Sequence, residues 1–243
     1  MTNPSSPTPE RAMPQRTMPQ RTMIDLSHAV EHGLVTYPGL PAPIISDHLS
    51  RDASRAHYAP GTEFQIGKLE MIANTGTYLD TPFHRYPDGK DLAELPLTSL
   101  ADLACEVIRA DTDARRGGGR AIDAPLFADR ELAGKAVLVH TGWSSRWNTP
   151  AYGVGHPFLT EAAARLLVDA GAALVGIDSL NIDDDQDGRR PVHSTLLAAE
   201  IPLVEHMTNL AALPERGARF FAVPVKVRGF GSFPVRAFAI ADL

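Results

Sequence analysis

Asp80 and His84 lie four apart in Asn-Thr-Gly-Thr-Tyr-Leu-Asp-Thr-Pro-Phe-His, residues 74–84, a stretch punctuated by Gly76 and Pro82. Imidazole titrates near neutrality and can shuttle a proton, while a carboxylate can hold a cation or take up that proton. Far downstream, His193 and Glu205 bracket an apolar run. If these four side chains converge, they form an enzyme site. Asp80, His193 and Glu205 would supply three ligands of mixed imidazole and carboxylate type, with a coordination position left open. A divalent cation held there would lower the pKa of a water to about 7 and so support hydrolysis of an unactivated amide or lactam. His84 would act as general acid and base. Gly76 relieves the loop of side-chain bulk, and Pro82 sets a turn that holds Asp80 and His84 apart. An Asp-x-x-x-His spacing alone is a weak signal, because such pairs also cap loops and form surface ion pairs.

The elements that must position these residues are partly legible. Residues 23–27 predict a first ordered strand, and residues 64–72 one that leads into the Asp80 stretch. Further strands are expected at 104–110, 136–140, 173–177, 202–205, 220–228 and 233–240. The run 173–177 is continuously apolar, as in a strand buried on both faces. Residues 160–170 predict a helix: Ala163, Leu166, Leu167 and Ala170 follow the i, i+3, i+4, i+7 pattern, Thr160 can cap it and Gly171 stops it. A shorter helix is expected over 192–199. Strands outnumber helices and several are adjacent in sequence, so the expected fold class is α/β, a single domain with a mixed β-sheet and flanking helices. Residues 1–22 are rich in Pro, Thr, Arg and Gln and repeat Met-Pro-Gln-Arg-Thr twice, so a disordered tail is expected there, with the domain over 23–243. The glycine triplet within 115–120 reads as a flexible turn.

The signature resembles that of the bacterial cyclase family of metal-dependent hydrolases, whose members include kynurenine formamidase and isatin hydrolase. The family pattern is His-x-Gly-Thr-His-x-Asp-x-Pro-x-His. Gly76, Thr77, Asp80, Pro82 and His84 match in register, while Asn74 and Tyr78 stand where the pattern has histidine. The likeness extends to Asp25-Leu26-Ser27, Tyr37-Pro38-Gly39, His140-Thr141-Gly142-Trp143, Val175-Gly176-Ile177-Asp178 and the segments around His193 and Glu205, and so covers residues 23–241. The resemblance implies the family's swivelling β/β/α fold, a homo-oligomer and one divalent metal, zinc or manganese. It implies that Asp80 and Glu205 are shared carboxylates, His193 a metal ligand, His84 the general acid and base, and Tyr37 a substrate-stacking aromatic. It also implies that a first metal position has lost its two imidazoles. An amide oxygen and a protonated phenol are poor replacements.

Three readings follow. In one, a single metal persists and the substrate is a small cyclic or aromatic amide, lactam or lactone. In another, Asp80, Glu205 and His84 work without metal in a lyase, dehydratase or cyclase, with Tyr78 as hydrogen-bond donor. In the third, the pocket only binds a small molecule. Asp178 is expected to orient a loop, and His206 to point away from Glu205 on the opposite face of its strand. His156 reads as a hydrogen-bonding loop residue. The acidic run Asp183-Asp184-Asp185 with Asp187 reads as a solvated turn, since it lacks the twelfth-position Glu of a calcium loop.

Composition bounds the rest. The chain has 243 residues, 44% of them apolar, enough for one substantial core. A net charge of −6 gives no reason to expect nucleic acid or an anionic membrane as partner. The single cysteine, Cys105, fits a reducing compartment, and with no apolar stretch of spanning length and no secretory h-region a cytoplasmic site is expected. No Gly-x-Ser-x-Gly elbow is present, because Gly229-Phe230-Gly231-Ser232-Phe233 has the wrong register. No nucleotide-binding glycine pattern appears either, so no nucleotide cofactor is expected.

Overall fold

The computed structural model describes residues 21–110 and 119–242. The expected tail therefore lies outside the described residues as far as residue 20, and the glycine-rich turn does so up to residue 118. The first strand, β1 (Arg21–Asp25), begins two residues earlier than its sequence suggested, because Arg21 and Thr22 pair with Asp242 and Ala241.

In chain order there follow β2 (Ile44–Leu49), the one-turn helix α1 (Arg51–Ser54), β3 (Ile66–Glu70), β4 (Tyr78–Asp80), β5 (Leu103–Arg109), β6 (Ala121–Ile122), β7 (Ala136–His140) and β8 (Phe158–Leu159). The chain continues through α2 (Glu161–Asp169), β9 (Leu174–Ile177), α3 (Pro191–Ala198), β10 (Leu203–Glu205), β11 (Arg219–Phe221), β12 (Ser232–Pro234) and β13 (Phe238–Asp242). Nine of the strands form one mixed sheet in the order β1-β13-β11-β5-β7-β9-β10-β4-β12. Its centre, β5-β7-β9-β10, is parallel, and both flanks are antiparallel.

Side-chain alternation sorts the sheet's two faces. Val137, Val139, Val175, Ile177 and Leu203 pack under the helices with Ala163, Leu167, Val192 and Leu196. Leu138, Leu174, Leu79, Val204 and Phe220 fill the opposite core. Helix α2 is capped as its sequence predicts, with Thr160 Oγ1 accepting from Ala163 N at 3.1 Å.

Two expectations need correction. The strand expected over 220–228 stops at Phe221, since Pro224 cannot donate to a ladder, and the one expected over 233–240 is two strands, β12 and β13. The strand expected at 64–72 is present as β3, which pairs only with β2 in a separate ribbon. Its apolar residues Ile66 and Leu69, three apart and so on opposite faces, are both exposed. Among the described residues, no helix is long and apolar enough to cross a membrane.

Candidate functional site

The site grows from β4, which lies between β10 and β12. Register sets Tyr78 opposite Glu205, and Asp80 opposite both Leu203 and Ser232. Directly paired residues share a face, so Tyr78, Asp80, Glu205 and Ser232 all project toward the helices, while Leu79 and Val204 enter the far core. The strand ends at Asp80, and Pro82 starts a single 3-10 turn over Pro82–His84 that returns His84 to the same place. Gly76, four residues before Asp80, adopts a φ of +66°, the left-handed region that favours glycine.

Ser232 joins the two signature residues. Its hydroxyl donates to Asp80 Oδ1 in a short contact, and its oxygen lies 2.9 Å from His84 Nδ1. The hydroxyl has one proton, which goes to Asp80, so His84 Nδ1–H must be the donor to Ser232. That fixes the tautomer and leaves Nε2 as the basic nitrogen. Gly231 makes the arrangement possible, because a Cβ there would meet the backbone N and Cα of His84 at 2.5 Å. Gly231→Ala is expected to displace the His84 turn and lower turnover by roughly 10²-fold, the scale of a 1 Å misplacement. Steady-state kinetics alongside circular dichroism would check it, and wild-type kinetics in this variant would show that the close approach is irrelevant.

Helix α3 brings the third member. Its N-terminal residues are held by Asp183, whose carboxylate accepts from the backbone N–H of Val192 at 2.7 Å and of His193 at 3.0 Å. The same carboxylate is 2.6 Å from His193 Nδ1, which leaves Nε2 facing Asp80 Oδ2 at 3.6 Å and Glu205 Oε1 at 3.8 Å. Burial disfavours the imidazolium, but Glu205, Asp183 and Asp80 outweigh it and push His193 up to about 10. Asp183 corrects the expectation of a solvated acidic turn: it is fully buried and positions a site residue.

Glu205 is fully buried, with Oε1 accepting from Ile182 N at 2.6 Å and Oε2 from the Tyr78 hydroxyl at 2.5 Å. Burial raises its pKa, and so does the Asp80 charge, against the lowering effect of His193. The Tyr37 hydroxyl lies 2.9 Å from that of Tyr78 and donates to Leu180 O at 2.7 Å. Burial and the Glu205 charge hold the Tyr78 phenol well above its ordinary range. Tyr37, Leu40, Asn74, Tyr78, His84 and His193 share the wall of one cavity of about 250 Å³.

The four sequence-predicted residues thus meet, and Asn74, Tyr78 and Tyr37 stand beside them. Neighbouring residues play supporting parts. Asp178 accepts from Thr141 N at 2.7 Å and Gly142 N at 2.9 Å and so orients that loop. His206 is buried against Tyr152, whose hydroxyl lies 2.8 Å from its Nδ1. His156 Nε2 contacts Asp183 O at 3.0 Å. Sequence reading missed Ser232 and Asp183. The Gly-x-Ser segment was visible, but only as a failed nucleophile motif.

The donor set fits a single cation. His193 Nε2 is too far from both carboxylates for a hydrogen bond, and Asp80 Oδ2 is buried with no partner. Two ligands on one ion at about 2.1 Å and a tetrahedral angle stand roughly 3.4 Å apart, close to the spacings seen here. The Asp183–His193 pair repeats the carboxylate–histidine arrangement that orients metal-binding imidazoles. Asp80, His84 and His193 also offer donor atoms all within 4.8 Å of one another. A second ion beside Asn74 and Tyr78 does not fit, since the Tyr78 hydroxyl keeps its proton and spends it on Glu205.

The family model described as putative cyclase matches residues 24–184. The chain belongs to that family. It is 28% identical over 216 residues to a kynurenine formamidase of Paracidovorax citrulli, covering 88% of this chain and 94% of the relative. Its fold superposes on isatin hydrolase A from Labrenzia aggregata with a TM-score of 0.79 at 22% identity, over 92% of this chain and 94% of the other. A predicted metal-dependent hydrolase from Bacillus stearothermophilus superposes with a TM-score of 0.69 at 25% identity, over 91% and 98%. The single mixed sheet with few helices is the architecture of this cyclase family.

Proposed function

We propose that this family member is a hydrolase that cleaves the C–N bond of a small cyclic or aromatic amide or lactam, with one divalent cation in its site. The observation that carries this reading is the gap between His193 Nε2, the unpartnered Asp80 Oδ2 and Glu205 Oε1. Asp80, His193 and Glu205 would hold zinc or manganese, which supplies Lewis acidity and lowers the pKa of water at the site to about 7.

The chain's own residues do the remaining work. His84 Nε2, its tautomer set through Ser232, takes a proton from the attacking water and returns it to the departing nitrogen. One C–O bond forms, the C–N bond breaks, and the proton ends on the amine. Asp80 Oδ1, reached through Ser232, stabilises the imidazolium between those steps. Tyr37 and Leu40 provide apolar wall for a flat substrate. The formamidase and isatin hydrolase relatives support an amide or lactam over a lactone.

A second reading has its own support. Each site carboxylate has a hydroxyl donor, Ser232 on Asp80 and Tyr78 on Glu205, and these donors would stabilise the pair without a cation. Elemental analysis of purified protein separates the two. About one zinc or manganese per chain is expected, with hydrolysis of formanilide or isatin lost on chelation. Activity in metal-free protein would reject the cation. In the same assay, Asn74→His with Tyr78→His should raise bound metal above the wild-type content, and unchanged content would reject the ligand geometry.

A further inference from the structure

Two guanidinium groups in the cavity wall have no part in the hydrolytic steps. Arg85 follows His84, Arg190 precedes His193 by three residues, and both line the cavity with those imidazoles. Among the described residues, neither is paired with a carboxylate, whereas Arg189 pairs with Asp187 at 2.6 Å and Arg120 with Asp184 at 3.3 Å. The hydrogen bonds they do make go to neutral oxygens, although the Arg190 charge also helps to lower the Asp187 carboxyl. Arg85 Nε donates to Ser194 Oγ at 3.3 Å, and its guanidinium stands 5.2 Å from the centre of the Tyr86 ring. Arg190 Nη1 donates to the backbone oxygen of Asp184 at 2.8 Å.

The backbone of Arg190 adds an independent observation. It caps α3 with φ 50° and ψ 60°, in the left-handed region that non-glycine residues rarely occupy. Such a conformation persists where the surroundings impose it, and it is enriched at ligand clamps. Here it sets the Arg190 side chain on the same helical turn that delivers His193 and Ser194, so both arginines are tied to α3.

We infer that Arg85 and Arg190 form an anion clamp, and that the substrate is a flat amide or lactam bearing a carboxylate. The inference rests on the proposed hydrolytic site for the reacting bond, and on the arginines alone for the charge. A guanidinium offers a planar fork of donors that matches a carboxylate in two parallel bonds. Tyr37 and Leu40 line the same cavity of about 250 Å³ and give it apolar wall for a flat ring. The clamp also answers a problem of repulsion. Asp80 and Glu205 would disfavour an anionic substrate beside them, and two guanidinium groups outside any ion pair place compensating positive charge at the wall. A carboxylate suits this better than a phosphate dianion, whose extra charge would face the same two carboxylates.

Calorimetric titration of purified protein, metal content as isolated, with benzoate, benzamide and phenyl phosphate tests the clamp. Benzoate is expected to bind about tenfold more tightly than benzamide, the scale of one charge-assisted pair. In Arg85→Gln/Arg190→Gln that preference should fall to within about twofold, and Arg85→Lys/Arg190→Lys should keep part of it because charge survives without the fork. Circular dichroism checks folding, and the lysine variant serves if the glutamine one fails to fold. Equal binding of benzoate and benzamide by wild type overturns the clamp. A preference that survives in the glutamine variant also overturns it, since the carboxylate would then sit elsewhere, as on a bound cation. Phenyl phosphate outranking benzoate would overturn the carboxylate assignment. Hydrolysis of 3-formamidobenzoate against formanilide keeps the two ideas separate. Neither cleaved, with the benzoate preference intact, rejects the hydrolase alone; both cleaved with equal kcat/KM and no preference rejects the clamp alone.

Discussion

Asp80→Asn should lower turnover roughly 10³-fold or more and empty the site of metal, because one residue serves both halves of the machinery. Its Oδ2 is the buried, unpartnered atom facing His193, and its Oδ1 receives the Ser232 proton that sets the His84 tautomer. Asparagine keeps the shape but removes the charge, and an amide oxygen is a weak ligand for zinc. It also presents the Ser232 hydroxyl with a neutral group, so the positive charge forming on His84 loses its counter-ion. The fold should survive, since Leu79 and the ladders on both sides of β4 are untouched. Metal analysis and steady-state kinetics on the same preparation check this. Near wild-type turnover, or full metal content with lost turnover, would contradict the dual role.

His84→Gln is expected to cost between about 10² and 10⁴ in kcat, the usual range for removing a general acid and base. Metal content should stay at its wild-type level. That split matters, because the His84 ring is near enough to Asp80 and His193 to be a ligand itself. Loss of metal together with activity would make His84 a ligand and leave the proton transfer to another group. Ser232→Ala should reproduce part of the kcat loss without metal loss, as it frees the imidazole to rotate and to change tautomer.

The regular elements were legible where their signals are local. Helix α2 follows from apolar periodicity and the Thr160 cap within a dozen residues, and β7 and β9 from continuous apolar runs. Strand β3 lies within its expected range, but its separate ribbon was not legible, because alternation does not say which strand it pairs with or which side meets the core. The strand expected over 220–228 overruns its end at Phe221 because Val223, Val225 and Val227 read as strand residues, while Pro224 interrupts the backbone ladder.

For the site, sequence alone determined the chemical identities: a carboxylate and an imidazole on one turn, a second pair downstream, and the absence of the two histidines at positions 74 and 78. Only the tertiary structure decided how they act. Ser232 lies 152 residues from Asp80 and became its partner through the β4–β12 register. Asp183 turned from a surface acid into the anchor of His193 because α3 begins on its carboxylate. Arg85 and Arg190 joined one wall because two separate turns end at the same cavity. Periodicity and caps are written within a few residues, whereas contacts across the sheet depend on register and packing between distant segments, which no local pattern specifies.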